Sequence, residues 1–467
     1  MKKPADFRPS VPTLEYPRVA AFQGRDAFDH AKAGLSHPIF SEMLYKPWEA
    51  AYAQSFRGIT TDGHVMHGLF SLGQNGAPVV AMRQAVGYLW EQLSSDERQA
   101  LSYAVDAREW RRWNNTEYYV YQQGLRLELV SPAVRQLILD VLKASLSEIG
   151  YQKTRDVMRL NHFLGELTNN TKVLGEWSFN FTLFGSPSDT EPWGWQLMGH
   201  HLALNCFVRG GQMILSPAFM GAEPTYADVG PWAGTRLFEA EESGGLEVMR
   251  SLTPFQRDQA VLLTSNLAKD LPEGRRHRAD QLHLGGAFHD NRIIPLEGLC
   301  CNQLSLEQKK KLLDLVKVFV EPLPEGPQKA RLEEVEKHID VTYFCWIGGF
   351  GEDDTFYYRI QSPVVMIEFD HHSGVYLTNE LPAKFHIHTI VRTPNGNDYG
   401  IDLLRQHYAQ SHHQESQPGD HGGHVGHTYP HSHLDSHSHN FSHTHDGHTH
   451  HHLHDHSNDH PLNKDKK

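Results

Sequence analysis

Two histidines separated by one residue form the clearest chemical pattern in the chain. His386 and His388 lie in the run FHIHTIV, whose length and apolar composition are typical of a β-strand. Side chains two positions apart on a strand project from the same face, with Cα atoms about 7 Å apart. Imidazole nitrogens at this spacing can chelate one ion, so we expect His386 and His388 to bind a metal.

A second predicted strand, in MIEFDHH, carries carboxylates for the same site. Glu368 and Asp370 alternate along it and therefore share a face. If this strand pairs with the one that carries His386 and His388, a carboxylate can join the histidines in a facial arrangement with open coordination positions. We predict Glu368 as a further metal ligand and Asp370 as a proton acceptor.

The consecutive histidines of GHHLALN are weaker candidates. We expect His200 and His201 to lie in a strand and to point to opposite faces, so that only one of them enters a given site. We choose His200 as a metal ligand and His201 as a second proton acceptor. His283 and His289, in the Gly-containing loop HLGGAFHD, are weaker still. A hydrogen-bonded packing role is the alternative for each of these histidines.

Arg392 and Asp398 lie in the turn-like stretch RTPNGNDYG. Arg392 could anchor an anionic ligand, and Asp398 could orient a neighbouring histidine. A bridge between the two side chains that stabilises a tight turn explains them equally well.

Residues 411–467 differ in composition from the rest of the chain. They contain 18 histidines among Ser, Asp, Gly and Thr, with almost no aliphatic residues. Such a segment cannot bury a core, so we predict a disordered tail that captures divalent Zn, Ni, Cu, Co or Fe, with a solubilising tail as the alternative. The predicted ligands in the tail are His433, His437, His439, His443, His445, His448, His450, His451 and His452.

Composition and motifs exclude several classes of function. The net charge of −13 over 467 residues, with scattered basic residues, argues against a nucleic-acid partner. No run of 18 apolar residues and no secretory signal appears, so we expect a cytoplasmic protein without a membrane partner. The chain also lacks the GxSxG elbow of serine hydrolases and the HExxH helix of metalloproteases. It has no phosphate-binding loop, which leaves nucleotide use unsupported.

The distribution of helical and strand patterns predicts an α+β fold. We expect an extended segment over 1–25 and a single body over 26–410, with a helical part over 26–170 and a sheet-containing part over 171–410. Strand patterns occur both in the middle and near the end of the body, and they must share one sheet. The prediction is therefore a helical N-terminal region packed on a mainly antiparallel sheet, followed by the tail.

Several motifs resemble the family catalogued as domain of unknown function 3500. They are WGWQLMGHHLALN, SPAFMGAEP, DNRIIPLEGL, YYRIQSPVVMIEFD and FHIHTIVRTPNGNDYG, and the resemblance covers roughly Ala85 to Tyr408. It implies a family but no activity, so the matched residues remain site candidates without an assigned role.

The residues support three hypotheses about function. The first is a metal-dependent enzyme of the oxygenase or hydrolase type, acting on a small-molecule substrate, with a metal-capturing tail. The second is a metal storage or chaperone protein without catalysis. The third is a ligand-binding module whose histidines are structural. Metal ions are the expected partners, and the sequence leaves the oligomeric state open.

Overall fold

A computed structural model describes residues 5–415 of the chain, without the side chains of 411–415. The chain divides into two units, Met1–Glu415 and Ser416–Lys467, and the first contains the whole sheet and the hydrophobic core. A unit with its own complete core is able to fold alone. The histidines predicted as ligands in the tail lie outside the described residues.

Helices occupy most of the chain before the sheet and recur between and after the strands. They are α1 (Pro17–Ala20), α2 (Ala27–Ser36), α3 (Pro38–Phe40), α4 (Lys46–Ala53), α5 (Val79–Gln92), α6 (Ser95–Leu101), α7 (Pro132–Ser145), α8 (Glu148–Leu167), α9 (Glu239–Ser251), α10 (Pro254–Ala260), α11 (Leu306–Val320), α12 (Glu325–Lys337) and α13 (Ile401–Glu415). The segment before Asp26, expected to be extended, contains α1 and a helical turn at Arg8–Ser10. Among the described residues, none of these helices has the length and apolarity that crossing a bilayer requires.

The strands form one sheet. They are β1 (Ser102–Tyr103), β2 (Leu125–Arg126), β3 (Phe179–Phe184), β4 (Trp193–Gly199), β5 (Leu202–Arg209), β6 (Gln212–Ala222), β7 (Val261–Leu263), β8 (Leu299–Cys300), β9 (Tyr343–Gly348), β10 (Phe356–Gln361), β11 (Met366–His371) and β12 (Ile387–Arg392). Their order is β1-β3-β4-β5-β6-β12-β11-β10-β9-β7, with β2 beside β3 and β8 beside β9. Only the edge pairs β1–β3 and β7–β9 are parallel among these strands. The pairing of β6 with β12 joins the two distant stretches and confirms the α+β prediction.

The two faces of the sheet differ in chemistry because side chains alternate along each strand. One face packs against the helices in the main hydrophobic core. Its residues include Phe179, Phe181, Trp195, Leu204, Phe344, Tyr358, Ile367, Phe369, Ile387 and Val391. The other face is also buried but carries many polar side chains, among them Asn180, Gln196, Asn205, Arg359, Glu368, Asp370, His388 and Arg392.

Irregular chain and the short helices α3 and α4 cover the polar face. An aromatic cluster that includes Phe40, Trp48 and Trp113 packs on one part of it. The loop over 271–298 covers another part, and its backbone N–H groups at Leu282 and Leu284 donate to carboxylates of β11. The polar face is therefore an interior layer in which side chains must bind one another or a ligand.

Helix α9 is tied to the sheet by a partly buried ion pair that we expect to depend on pH. Glu242 accepts from Lys384 Nζ at 2.8 Å and lies 3.3 Å from His371 Nε2. Burial alone would raise the pKa of Glu242, but His371 and Lys384 outweigh it and lower the pKa from 4.5 to about 2. The stabilisation is thus fully present above about pH 4.5 and is lost as pH falls toward 2.

We expect Glu242→Gln to lower the free energy of unfolding by about 1–2 kcal/mol at pH 7 and by less at pH 3.5. Urea unfolding at both pH values measures the difference. Glu239→Gln is the matched control, because Glu239 is an exposed residue of the same helix, 3.4 Å from Arg236. A loss that is the same at pH 7 and pH 3.5 would contradict this account.

Candidate metal centre

The two histidines of FHIHTIV converge on one point. His386 directly precedes β12 and His388 is its second residue. Their Nε2 atoms lie 3.2 Å apart, and both rings are at most 3% exposed. The two rings converge, although only His388 lies within the strand and His386 stands directly before it.

The ring of His386 is oriented by the groups behind it. Its Nδ1 lies 2.9 Å from the carbonyl oxygen of Ser373 and 3.7 Å from Glu223 Oε1. Because a carbonyl oxygen only accepts, Nδ1 carries the proton and the lone pair of Nε2 points toward His388. A histidine that donates its second N–H to a carbonyl is typical of metal ligands.

His201 completes the group. A ring nitrogen of His201, one of His386 and one of His388 all lie within 4.8 Å of one another. The His201 ring centroid is 4.9 Å from that of His388. Space for the two rings comes from Gly221 on β6, where an added Cβ would lie 2.7 Å from the His388 ring and 3.2 Å from the His201 ring.

The expected arrangement of His200 and His201 is wrong. They do not lie within a strand with opposite orientations but form the turn between β4 and β5, where His201 has a φ of +63°. Their rings stack with centroids 3.9 Å apart. His200 faces away from the group and hydrogen-bonds through Nδ1 to Asn161 Oδ1 at 2.7 Å. The structure therefore brings His201, and not His200, to His386 and His388.

The two carboxylates of β11 lie on the polar face, as predicted, but they differ in role. Asp370 is opposite His388 in the β11–β12 register, whereas Glu368 is opposite Ile390. Glu368 accepts the N–H groups of Leu284 and Gly285 and the Tyr357 hydroxyl at 2.6–2.9 Å. It anchors the covering loop and does not join the three-histidine group.

Asp370 remains close to the histidines. Its Oδ2 accepts the N–H of Leu282 at 3.0 Å and lies 3.1 Å from His372 Nε2, while its buried Oδ1 has no protein hydrogen-bond partner. Burial raises the pKa of Asp370 to about 7, against the lowering effect of His283. The carboxyl group is therefore able to exchange a proton near neutral pH.

The family model described as protein of unknown function DUF3500 matches residues 75–401, which is more than half of the chain. The chain belongs to this family. The matched range of the DUF3500 family contains His201, His386, His388 and Asp370. Neither curated proteins nor solved structures gave a match, so only the geometry bears on what the site does.

Two further histidines of the residues matched by the DUF3500 family, His372 and His283, lie beside the three-histidine group. The His372 ring centroid lies 3.7 Å from that of His388, and His283 lies 6.0 Å from His372. Both ring nitrogens of His283 and Nδ1 of His372 are buried without hydrogen-bond partners, while His372 Nε2 lies 3.1 Å from Asp370 Oδ2. His372 is the last residue of MIEFDHH but was not predicted as a candidate, because the orientation of its ring depends on the path of the chain after β11.

The imidazoles of this cluster are in the form that binds metal. Burial lowers the pKa of His201, His372 and His388 well below 6.5, and the neighbouring imidazoles lower it further. Burial also lowers the pKa of His386, although Glu223 opposes the shift. Neutral rings at pH 7 offer lone pairs without the cost of releasing a proton.

Arg392 and Asp398 form a buried network close to the covering loop. Arg392 Nε donates to Asp398 Oδ2 at 2.9 Å, and its Nη2 donates to Asp290. Asp398 Oδ1 also accepts the Ser216 hydroxyl at 2.7 Å and the Thr393 N–H at 2.8 Å. Since Arg392 and Asp398 are both 0% exposed, this geometry favours the turn-stabilising alternative over an anionic-ligand site.

Proposed function

We propose that the body of this DUF3500 member is a metalloprotein that binds one divalent transition-metal ion through His201, His386 and His388. The observation that carries the proposal is the 3.2 Å separation of the two Nε2 atoms of the HxH pair. Two nitrogens bound tetrahedrally to one ion at 2.0–2.1 Å lie about 3.3 Å apart. A direct hydrogen bond is the alternative, in which His388 Nε2 donates its proton to the lone pair of His386 Nε2.

We extend this proposal to a metal-dependent enzyme of the oxygenase or hydrolase type. Three histidine ligands leave at least one coordination position for water or a substrate. A bound ion would supply a Lewis acid there. Asp370 supports the extension, because its buried Oδ1 has no protein hydrogen-bond partner and can accept a proton beside the histidines.

A closed metal centre without catalysis is the second candidate, and burial favours it. His201, His386 and His388 are at most 3% exposed. Five clefts along residues 5–415 are lined by other residues. Catalysis would therefore require the covering loop over 271–298 to move. The tail over 411–467 is proposed to capture ions for either kind of centre.

Metal analysis of a chain that ends at Gln410, before the histidines of the tail, tests the proposal. Leu403 and Leu404, which hold α13 in the core, are kept in this chain. After loading with Zn²⁺ or Co²⁺ and gel filtration, we expect a tightly held ion that is absent from the His388→Ala chain. A chain that retains no ion after loading contradicts the proposal.

Azide added to the Co²⁺-loaded chain separates the two candidates. An open, accessible coordination position binds the anion and changes the visible absorption spectrum, which supports the enzyme. An unchanged spectrum supports the closed centre.

A further inference from the structure

A second group of metal-binding side chains lies in the loop over 271–298. His277, Asp280 and His289 each place one donor atom within 4.8 Å of the other two. Asp280 Oδ2 is 2.8 Å from His277 Nδ1 and 3.3 Å from His289 Nε2. We propose that these three side chains bind a second divalent transition-metal ion, independently of the three-histidine site.

The contact between His277 and Asp280 requires a shared proton or a metal ion. His277 Nδ1 accepts the backbone N–H groups of Ala279 and Asp280, both at 3.3 Å. A nitrogen that accepts N–H groups presents a lone pair, and so does a carboxylate oxygen. Two lone pairs 2.8 Å apart repel unless they share a proton or a metal ion.

The donor spacing fits a metal ion. Ligands bound at 2.0–2.2 Å lie about 2.9–3.5 Å apart in octahedral or tetrahedral geometry. The two distances to Asp280 Oδ2, 2.8 and 3.3 Å, are close to this range. Two imidazoles and one carboxylate are a set that first-row transition metals bind on one face.

This group is open to solvent, unlike the three-histidine site. The side chains of His277 and His289 are 33% and 27% exposed, while that of Asp280 is 3% exposed. The carboxylate lies against Gly286, where an added Cβ would come within 2.4 Å of Asp280 Oδ1. A fixed carboxylate below two accessible imidazoles lets an ion bind from solvent and keep water on its outer side.

Titration with Co²⁺ of the chain ending at Gln410 tests the second site. Isothermal calorimetry should count two ions per chain. His289→Ala, and separately His277→Ala, should remove one ion or weaken its binding at least about tenfold. The matched control is His162→Ala, since His162 is 29% exposed and lies 3.7 Å from Glu166, outside any three-donor group of the described residues.

The outcomes separate this inference from the proposed function. The same number of ions in the His289→Ala and His277→Ala chains as in the unaltered chain, at unchanged affinity, overturns the second site. An ion lost from those chains but kept in His388→Ala supports it, even if the three-histidine site binds nothing. Loss of one ion in the control as well means that the effect is not specific, which also overturns the inference. Thermal unfolding followed by circular dichroism confirms that each variant is folded.

Discussion

Replacing His388 with alanine is expected to abolish tight metal binding by the three-histidine site. His388 contributes one of three nitrogens and closes the 3.2 Å Nε2 pair with His386. Changes to groups that only orient a ligand cost 10–100-fold in metal affinity, so loss of a ligand should cost about 100-fold or more. Competition with a chromophoric chelator measures the affinity in the chain that ends at Gln410.

Two consecutive residues provide the control for this prediction. His201→Ala should weaken binding like His388→Ala, because His201 belongs to the group. His200→Ala should change the affinity far less, since His200 bonds to Asn161 instead. Equal losses in the two variants, or a larger loss for His200, would show that the proposed ligand set is incorrect.

Replacing Arg392 with alanine is expected to destabilise the body by about 3–5 kcal/mol. Arg392 is 0% exposed and binds two buried carboxylates, Asp290 and Asp398, as well as the carbonyl oxygens of Gly285 and Gly286. The variant leaves Asp398 without a cation in the interior and leaves Asp290 with Arg111 alone. It also frees the covering loop from the end of β12.

Urea unfolding measures this loss. Arg250→Ala is the matched control, because Arg250 forms an exposed pair with Glu352 at 2.6 Å and should cost no more than about 1 kcal/mol. Arg392→Lys should recover only part of the stability, since one ammonium group cannot replace the planar set of N–H donors. A loss below 1 kcal/mol for Arg392→Ala would instead favour the anionic-ligand role.

The strands could be predicted because their signals are local. Alternation in FHIHTIV and MIEFDHH was enough to place His386, His388, Glu368 and Asp370 on one buried face. Each of these features depends on residues only a few positions apart in the chain.

The site could not be completed from the sequence because its remaining parts depend on tertiary structure. A turn between β4 and β5, where a strand was expected to continue, places the ring of His201, and not that of His200, beside His386 and His388. Glu368 accepts hydrogen bonds from N–H groups of the loop over 271–298 and so does not join the three-histidine group. That loop has no periodicity to predict its path, so the grouping of His277 with Asp280 and His289 had no sequence signal beyond residue type.

Anomalous X-ray diffraction from crystals of the Zn²⁺-loaded chain ending at Gln410 tests whether His201, His386 and His388 bind one ion. Data on both sides of the zinc absorption edge locate the ion without reference to the ligands. We expect an anomalous peak about 2.0–2.1 Å from ring nitrogens of His201, His386 and His388. Zinc bound by the chain in solution, with no peak at these three side chains, would contradict it.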